Sequence, residues 1–82
     1  MEDCRAARLI HLERREPTHN RMRFYNIAVT PTLFGGWVLV REWGQIGQPG
    51  TVRETWFESE NAAIEAGHSV RLCKEKRGYR RC

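Results

Sequence analysis

A chain of 82 residues is the size of one small domain, and folding at that size hides only roughly 60% of the unfolded chain's surface. Three Trp, three Phe and two Tyr must therefore supply much of a thin core. The formal net charge of +4 is unevenly spread: residues 71–82 hold six basic groups and one acid, the first seventy residues eight basic and nine acidic, so this tail favours an anionic partner.

In chain order, "RLIHLER", Arg8 to Arg14, reads as a first strand. "EPTHN", Glu16 to Asn20, is a loop by its Pro and Asn content. "MRFYNIAVT", Met22 to Thr30, is rich in aromatic and β-branched residues and predicts a strand, which "PTLFGG", Pro31 to Gly36, breaks. "WVLVREW", Trp37 to Trp43, predicts a third strand and "TVRETWFE", Thr51 to Glu58, a fourth. Ser59 is a good N-cap, with Glu60 adding an acid to the first turn. A helix follows to about Arg77, with Ala62, Ala63, Ala66, Gly67, Val70 and Cys73 on one face and Leu72 unexplained. Gly78 fits the stop position, and "YRRC" is a short extended end. Strands in series followed by one helix predict an α+β domain, an antiparallel meander with a helix across one face. Residues 1–82 read as one domain with a core of about 8–80. Which sheet face the helix covers stays open, because Val38, Val40 and Trp56 compete with Trp37, Leu39 and Phe57.

The turn "REWGQIGQPG" carries Gly44, Gly47 and Gly50. It is no phosphate-binding loop, since the next element is a strand and no Gly-Lys-Ser/Thr is present. The glycines are expected at positive φ in a hairpin connection. Pairing the hairpin about Gly47 sets Trp43 against Thr51, Arg41 against Arg53, Leu39 against Thr55 and Trp37 against Phe57. Strand alternation then gathers Arg41, Arg53 and Trp43 on one face. Directly opposed cations are destabilising in themselves. They suit a surface where a sugar or base stacks on the indole while phosphates sit on the arginines.

"GGWVLVREWGQIGQPG", "FESENAAIEAG" and "KEKRGYR" together resemble a WGR domain, named for a Trp-Gly-Arg triplet, over about Arg8 to Arg80. "RFYNIAVTPTLFGGW" adds similarity to the small stand-alone bacterial members. The resemblance implies an antiparallel sheet with one packed helix. In DNA-dependent poly(ADP-ribose) polymerases such a domain binds DNA at strand breaks and relays that contact to the catalytic domain. There the motif Trp stacks on a nucleotide sugar and the Arg contacts the backbone. Trp43 and Gly44 match the motif, but Gln45 stands where the family has Arg. A Gln amide still donates to a phosphate oxygen but carries no charge. Arg41 or Arg53 is then expected to supply it. Lys74, Arg77, Tyr79 and Arg80 match the family's basic helix end and following aromatic, a second expected DNA contact.

Nothing reads as an enzyme. Ser59 is used as a cap, Ser69 is the other serine, and Asp3 the single aspartate. His11, His19 and His68 share no metal-ligand spacing, and Cys73 lies five residues from His68, on another side of the helix. Cys4, Cys73 and Cys82 form no CxxC and point to free thiols in a reducing compartment. No apolar run approaches the roughly 20 residues of a membrane span, and the N-terminus is no secretory signal. The expectation is a cytoplasmic, non-catalytic nucleic-acid-binding module without cofactor, metal or small-molecule substrate, binding DNA ends, nicks or distorted DNA. The alternative is a protein–protein interaction module, with Trp43 and Ile46 as an exposed hot spot beside a separate enzyme or regulator.

Overall fold

Alternation along the strands decides which residues meet the helix. The computed structural model describes residues 9–16, 18 and 21–81. It comprises β1 (Leu9–Glu16), β2 (Arg21–Pro31), β3 (Trp37–Gln45), β4 (Thr51–Phe57), α1 (Glu60–Lys76) and β5 (Arg80–Arg81). The five strands form one antiparallel sheet in the order β4-β3-β2-β1-β5. The α+β meander with one helix is as expected, and the hairpin register matches the symmetric pairing, with Trp43 on Thr51 and Trp37 on Phe57. The short extended end is a fifth strand: Arg80 pairs with Glu13 and Arg81 with Leu12. Pro17, His19 and Asn20 of the expected loop lie outside the described residues, as do Cys4 and Cys82.

The helix covers the face that carries Leu12, Tyr25, Ile27, Val29 and Leu39, all buried. Ile10, Trp37 and Phe57 pack around them. This settles the choice left open by the strand pattern in favour of Trp37, Leu39 and Phe57. Gly67 explains how close the helix comes. A Cβ there would lie 3.2 Å from Leu39 Cδ1 and 3.3 Å from Ile27 Cγ2. Both contacts are tighter than ordinary van der Waals approach, so the helix backbone rests directly on the sheet.

The helix face differs from the expected set. Ala63 and Gly67 are buried, Ile64, Ala66 and Val70 pack at the margins, and Ala62 and Cys73 are exposed. The stripe that faces the sheet runs Ala63, Ile64, Gly67, Val70, Lys74, an i, i+4 series rotated by part of a turn from the small-residue stripe. Leu72 is exposed, which accounts for its position off that stripe. At the N-terminus Ser59 Oγ accepts from the Ala62 amide at 3.1 Å. Such a cap contributes about 1 kcal/mol. At the other end Gly78, at φ 99°, donates its amide to Glu75, and the Tyr79 amide returns to the Lys74 carbonyl at 3.1 Å. This paired closure is the Schellman arrangement, and it turns the chain back into β5.

The uncovered face carries its own polar cluster. His11 Nε2 meets Glu13 Oε2 at 2.8 Å, and Nδ1 faces Asn26 Oδ1. Glu13 also accepts from Arg15 at 2.9 Å. With an acceptor on each ring nitrogen, His11 holds its proton above the usual 6.5, first through Glu13 and then through Asn26. Glu13 is lowered, chiefly by His11 and then by Arg15.

Two outcomes follow from this packing. Gly67→Val should cost roughly 2–3 kcal/mol in urea unfolding, because extra methyls have no room between helix and sheet. For His11 the raised folded pKa means that its contribution is complete below 6.5 and is lost as pH rises through the raised value. Glu13, being lowered, loses its contribution only as pH falls from its usual 4.5 through the lowered value. The melting temperature of the native chain should therefore fall modestly from about pH 6 to pH 8, and His11→Gln should flatten that slope.

Candidate nucleic-acid interface

Towards its C-terminus the helix still reaches the sheet at Ile27 through Gly67 and at Tyr25 through Lys74, and it leaves only the outermost residues of the covered face beyond it. Three rows of side chains cross that end. The outermost is Arg14, Arg23 and Gln45, the next Leu12, Tyr25, Trp43 and Thr51, and the third Ile10, Ile27, Arg41 and Arg53.

Trp43 is the centre of this surface. Its ring stacks on Tyr25, with centroids 5.5 Å apart and planes within 9°. Tyr25 is 3% exposed and so acts as a fixed floor. Tyr79 meets Tyr25 edge-on at 6.2 Å and 78°. Aromatic pairs of this kind add about 0.5–1.5 kcal/mol each beyond burial, enough to hold the half-buried indole in place. Trp43 is thus a margin of the core with part of its ring exposed.

Cations ring the platform. The Arg41 guanidinium carbon lies 5.8 Å from the Trp43 ring centre, and Lys74 Nζ lies 4.8 Å from the Tyr25 ring centre. Arg41 Nε is buried without a hydrogen-bond partner among the described residues. Contact with the indole face offsets part of that cost, so Arg41 serves first to hold Trp43 and only second as a free charge. Arg53 stands directly opposite Arg41 and is exposed. Glu42 and Glu54 alternate onto the other face, where neither is placed to neutralise the two arginines.

Gln45 is exposed at the end of β3, on the Trp43 face, and its register partner on β2 is Arg23, also exposed. Arg23 and Tyr25 were not among the residues singled out from sequence. Pairing "MRFYNIAVT" with "WVLVREW" through the Pro31–Gly36 connection would have found both, because that register sets Tyr25 beside Trp43. Arg14, the third residue of the outer row, is engaged with Glu16 at 2.8 Å. Arg77 is the exposed C-cap next to Tyr79. Arg80 is not brought to the platform: its register partner is Glu13, on the opposite face of the sheet. Lys74 and Tyr79 join Trp43 through Tyr25, so one part of the basic end reaches the platform and the Arg80 part does not.

The loop geometry corrects the expectation of three left-handed glycines. Only Gly47 has positive φ, 89°, at the third position of the turn closed by Gln48 N–H to Gln45 C=O at 3.1 Å. Gly44 and Gly50 are needed for close approach. A Cβ on Gly44 would lie 3.1 Å from Gly50 Cα, and one on Gly50 would lie 2.6 Å from the Trp43 carbonyl oxygen. The Phe24 ring fills the space over both, near 3.5 Å from the Gly44 position. Among the described residues no group of three His, Cys, Asp or Glu side chains is placed to hold a metal ion, and no helix is long and apolar enough to cross a membrane.

The family description "WGR domain" matches residues 8–82. The uncharacterized protein y4dW of Sinorhizobium fredii is 37% identical over 71 residues, covering 87% of this chain and 35% of that protein. The chain therefore spans about a third of the length of that relative. No solved structure matches the chain.

Gly50→Ala and Gly47→Ala separate the two uses of glycine in the loop. Gly50→Ala should cost more than about 2 kcal/mol and shift the Trp43 fluorescence, because a methyl cannot enter beside the Trp43 carbonyl. Gly47→Ala should cost only about 1 kcal/mol and leave the fluorescence unchanged. Urea unfolding followed by emission spectra measures both.

Proposed function

Because this chain belongs to the WGR domain family, we propose that it is a non-catalytic nucleic-acid-binding module that engages broken or distorted DNA with the end of its sheet that carries Trp43. The observation that carries the reading is the Trp43 platform, stacked on a buried Tyr25 and bordered by Arg41, Arg53 and Lys74. A half-buried aromatic ring fixed by its stacking partner suits contact, at its exposed part, with a sugar or base that has left a regular stack. An intact duplex offers no such group away from its ends, whereas a nick or terminus does. The cations around the ring lie where flanking phosphates would run.

Charge in this chain is distributed differently from the family motif. Gln45 offers an amide where the motif has Arg, and Arg23 stands across the strand pair from it. Arg23, Arg53 and Lys74 carry the ionic part of the contact, with Arg77 extending it past the helix end. Arg41 supports the indole.

Fluorescence anisotropy with intact, nicked and blunt-ended short duplexes, each at several salt concentrations, tests this. The nicked duplex should bind tightest, and its preference should persist as salt rises. Trp43→Ala should weaken nick binding roughly tenfold or more while the fold survives, in line with about 1–3 kcal/mol per stacked base. Arg23→Gln and Arg53→Gln should each reduce the salt slope by about 0.9, and Gln45→Arg should raise it by the same amount. Equal binding to all three duplexes, with no effect of Trp43→Ala, would overturn the reading and leave only diffuse attraction to the basic tail.

A further inference from the structure

The two edges of the sheet are unlike. On one side β5 pairs with β1. On the other, β4 pairs with β3 alone among the described residues, and every position from Thr51 to Trp56 is exposed. β4 is seven residues long, rich in β-branched and aromatic types, and contains no proline. Its side chains on the face away from the helix are Val52, Glu54 and Trp56. Val52 is 56% and Trp56 57% exposed.

Trp56 is exposed yet fixed. A Cβ on Gly36 would lie 2.5 Å from its Nε1, so the indole lies directly on the Gly36 backbone. Nε1 also donates to the Gly35 carbonyl at 3.4 Å. The same turn carries Leu33 and Phe34, 96% and 97% exposed. An open strand edge thus adjoins an ordered apolar surface, with one carboxylate between its two apolar strand residues. A monomeric domain ordinarily covers, charges or shortens such an edge.

We propose that the outer edge of β4 takes up an extended segment of a partner protein as an additional antiparallel strand. That segment sets apolar residues beside Val52 and Trp56 and a Lys or Arg beside Glu54. Backbone hydrogen bonds along the edge supply affinity, and the alternating side chains supply selection. A second copy of this chain is a poor occupant. In a two-fold β4–β4 pair centred on Glu54, Val52 meets Trp56 but Glu54 meets Glu54. Centred on Arg53, Arg53 meets Arg53, and centred on Thr55, Glu54 meets Trp56. Each of these registers opposes like charges or buries Glu54 against an aromatic. A basic residue in the incoming strand removes the conflict. The surface is separate from the nucleic-acid face, since Val52, Glu54 and Trp56 point away from Trp43.

The probe is a nine-residue peptide with Ile, Lys and Val placed opposite Trp56, Glu54 and Val52 and threonine elsewhere, titrated into the isotope-labelled chain. Shifts should map to β4 amides and the Gly35–Gly36 turn, with slower hydrogen exchange along β4. Glu54→Lys, an exposed change that leaves the fold intact, should weaken binding roughly fivefold, and a peptide with Glu in place of Lys should restore it. Trp56→Ala should weaken binding to both peptides and leave nick binding unchanged. Absence of β4 shifts at millimolar peptide, equal binding of the two peptides to the native chain, or a concentration-dependent dimer joined through β4 would each overturn the proposal.

Discussion

The contact on which the rest of this molecule depends is the one at Gly67, where the helix backbone meets Leu39 and Ile27 with no side chain between. That seat fixes the height and course of the helix. It starts beside β4, where Ser59 caps it, crosses β3 and β2, and ends near Tyr25 and β1. Its C-terminal end reaches the aromatic floor on which Trp43 stacks. A bulkier residue at Gly67 would lift the helix and with it Lys74 and Tyr79, the two residues that link the helix end to the aromatic floor. The core seat and the candidate interface are therefore two ends of one lever.

The aromatic floor solves a second problem. Arg41 and Arg53 face each other across a strand pair, which is unfavourable in an isolated sheet. The indole accepts one of them over its ring, and solvent screens the other. Their opposition is therefore tolerable in the folded chain. The polar cluster of His11, Glu13, Asn26 and Arg15 on the far face is internally matched by contrast, and asks for no external charge.

Much of this was legible in the sequence because it follows from local rules. Alternation gave the strands, Ser59 and Gly78 bracketed the helix, and symmetric pairing about Gly47 gave the β3–β4 register. What escaped was set by contacts between distant segments. Small residues suggested the helix stripe, yet Ala62 and Cys73 are exposed while Lys74 lies over Tyr25, because the sheet surface and not residue size determines the rotation. Tyr25 looked like one strand aromatic among several until β2 was placed beside β3. Arg80 looked like part of a continuous basic patch, but alternation in a strand two residues long turns it to the opposite face from Trp43. Gly44 and Gly50 looked conformational and are steric. Membership of the family was carried by the Trp-Gly pair and its flanks, and the replaced arginine only acquires a structural reading through Arg23.

The β1–β5 ladder has a mechanical consequence. These strands are adjacent and antiparallel, so Leu9 and Arg81 lie toward the same end of the ladder, with Arg81 opposite Leu12. Tension applied through those two residues would load the ladder one rung at a time, the geometry of unzipping and not of shear. The first element to yield would be β5, and Tyr79, immediately before it, would leave the edge of Tyr25. The aromatic floor beneath Trp43 would loosen before the core around Leu39 took up the load.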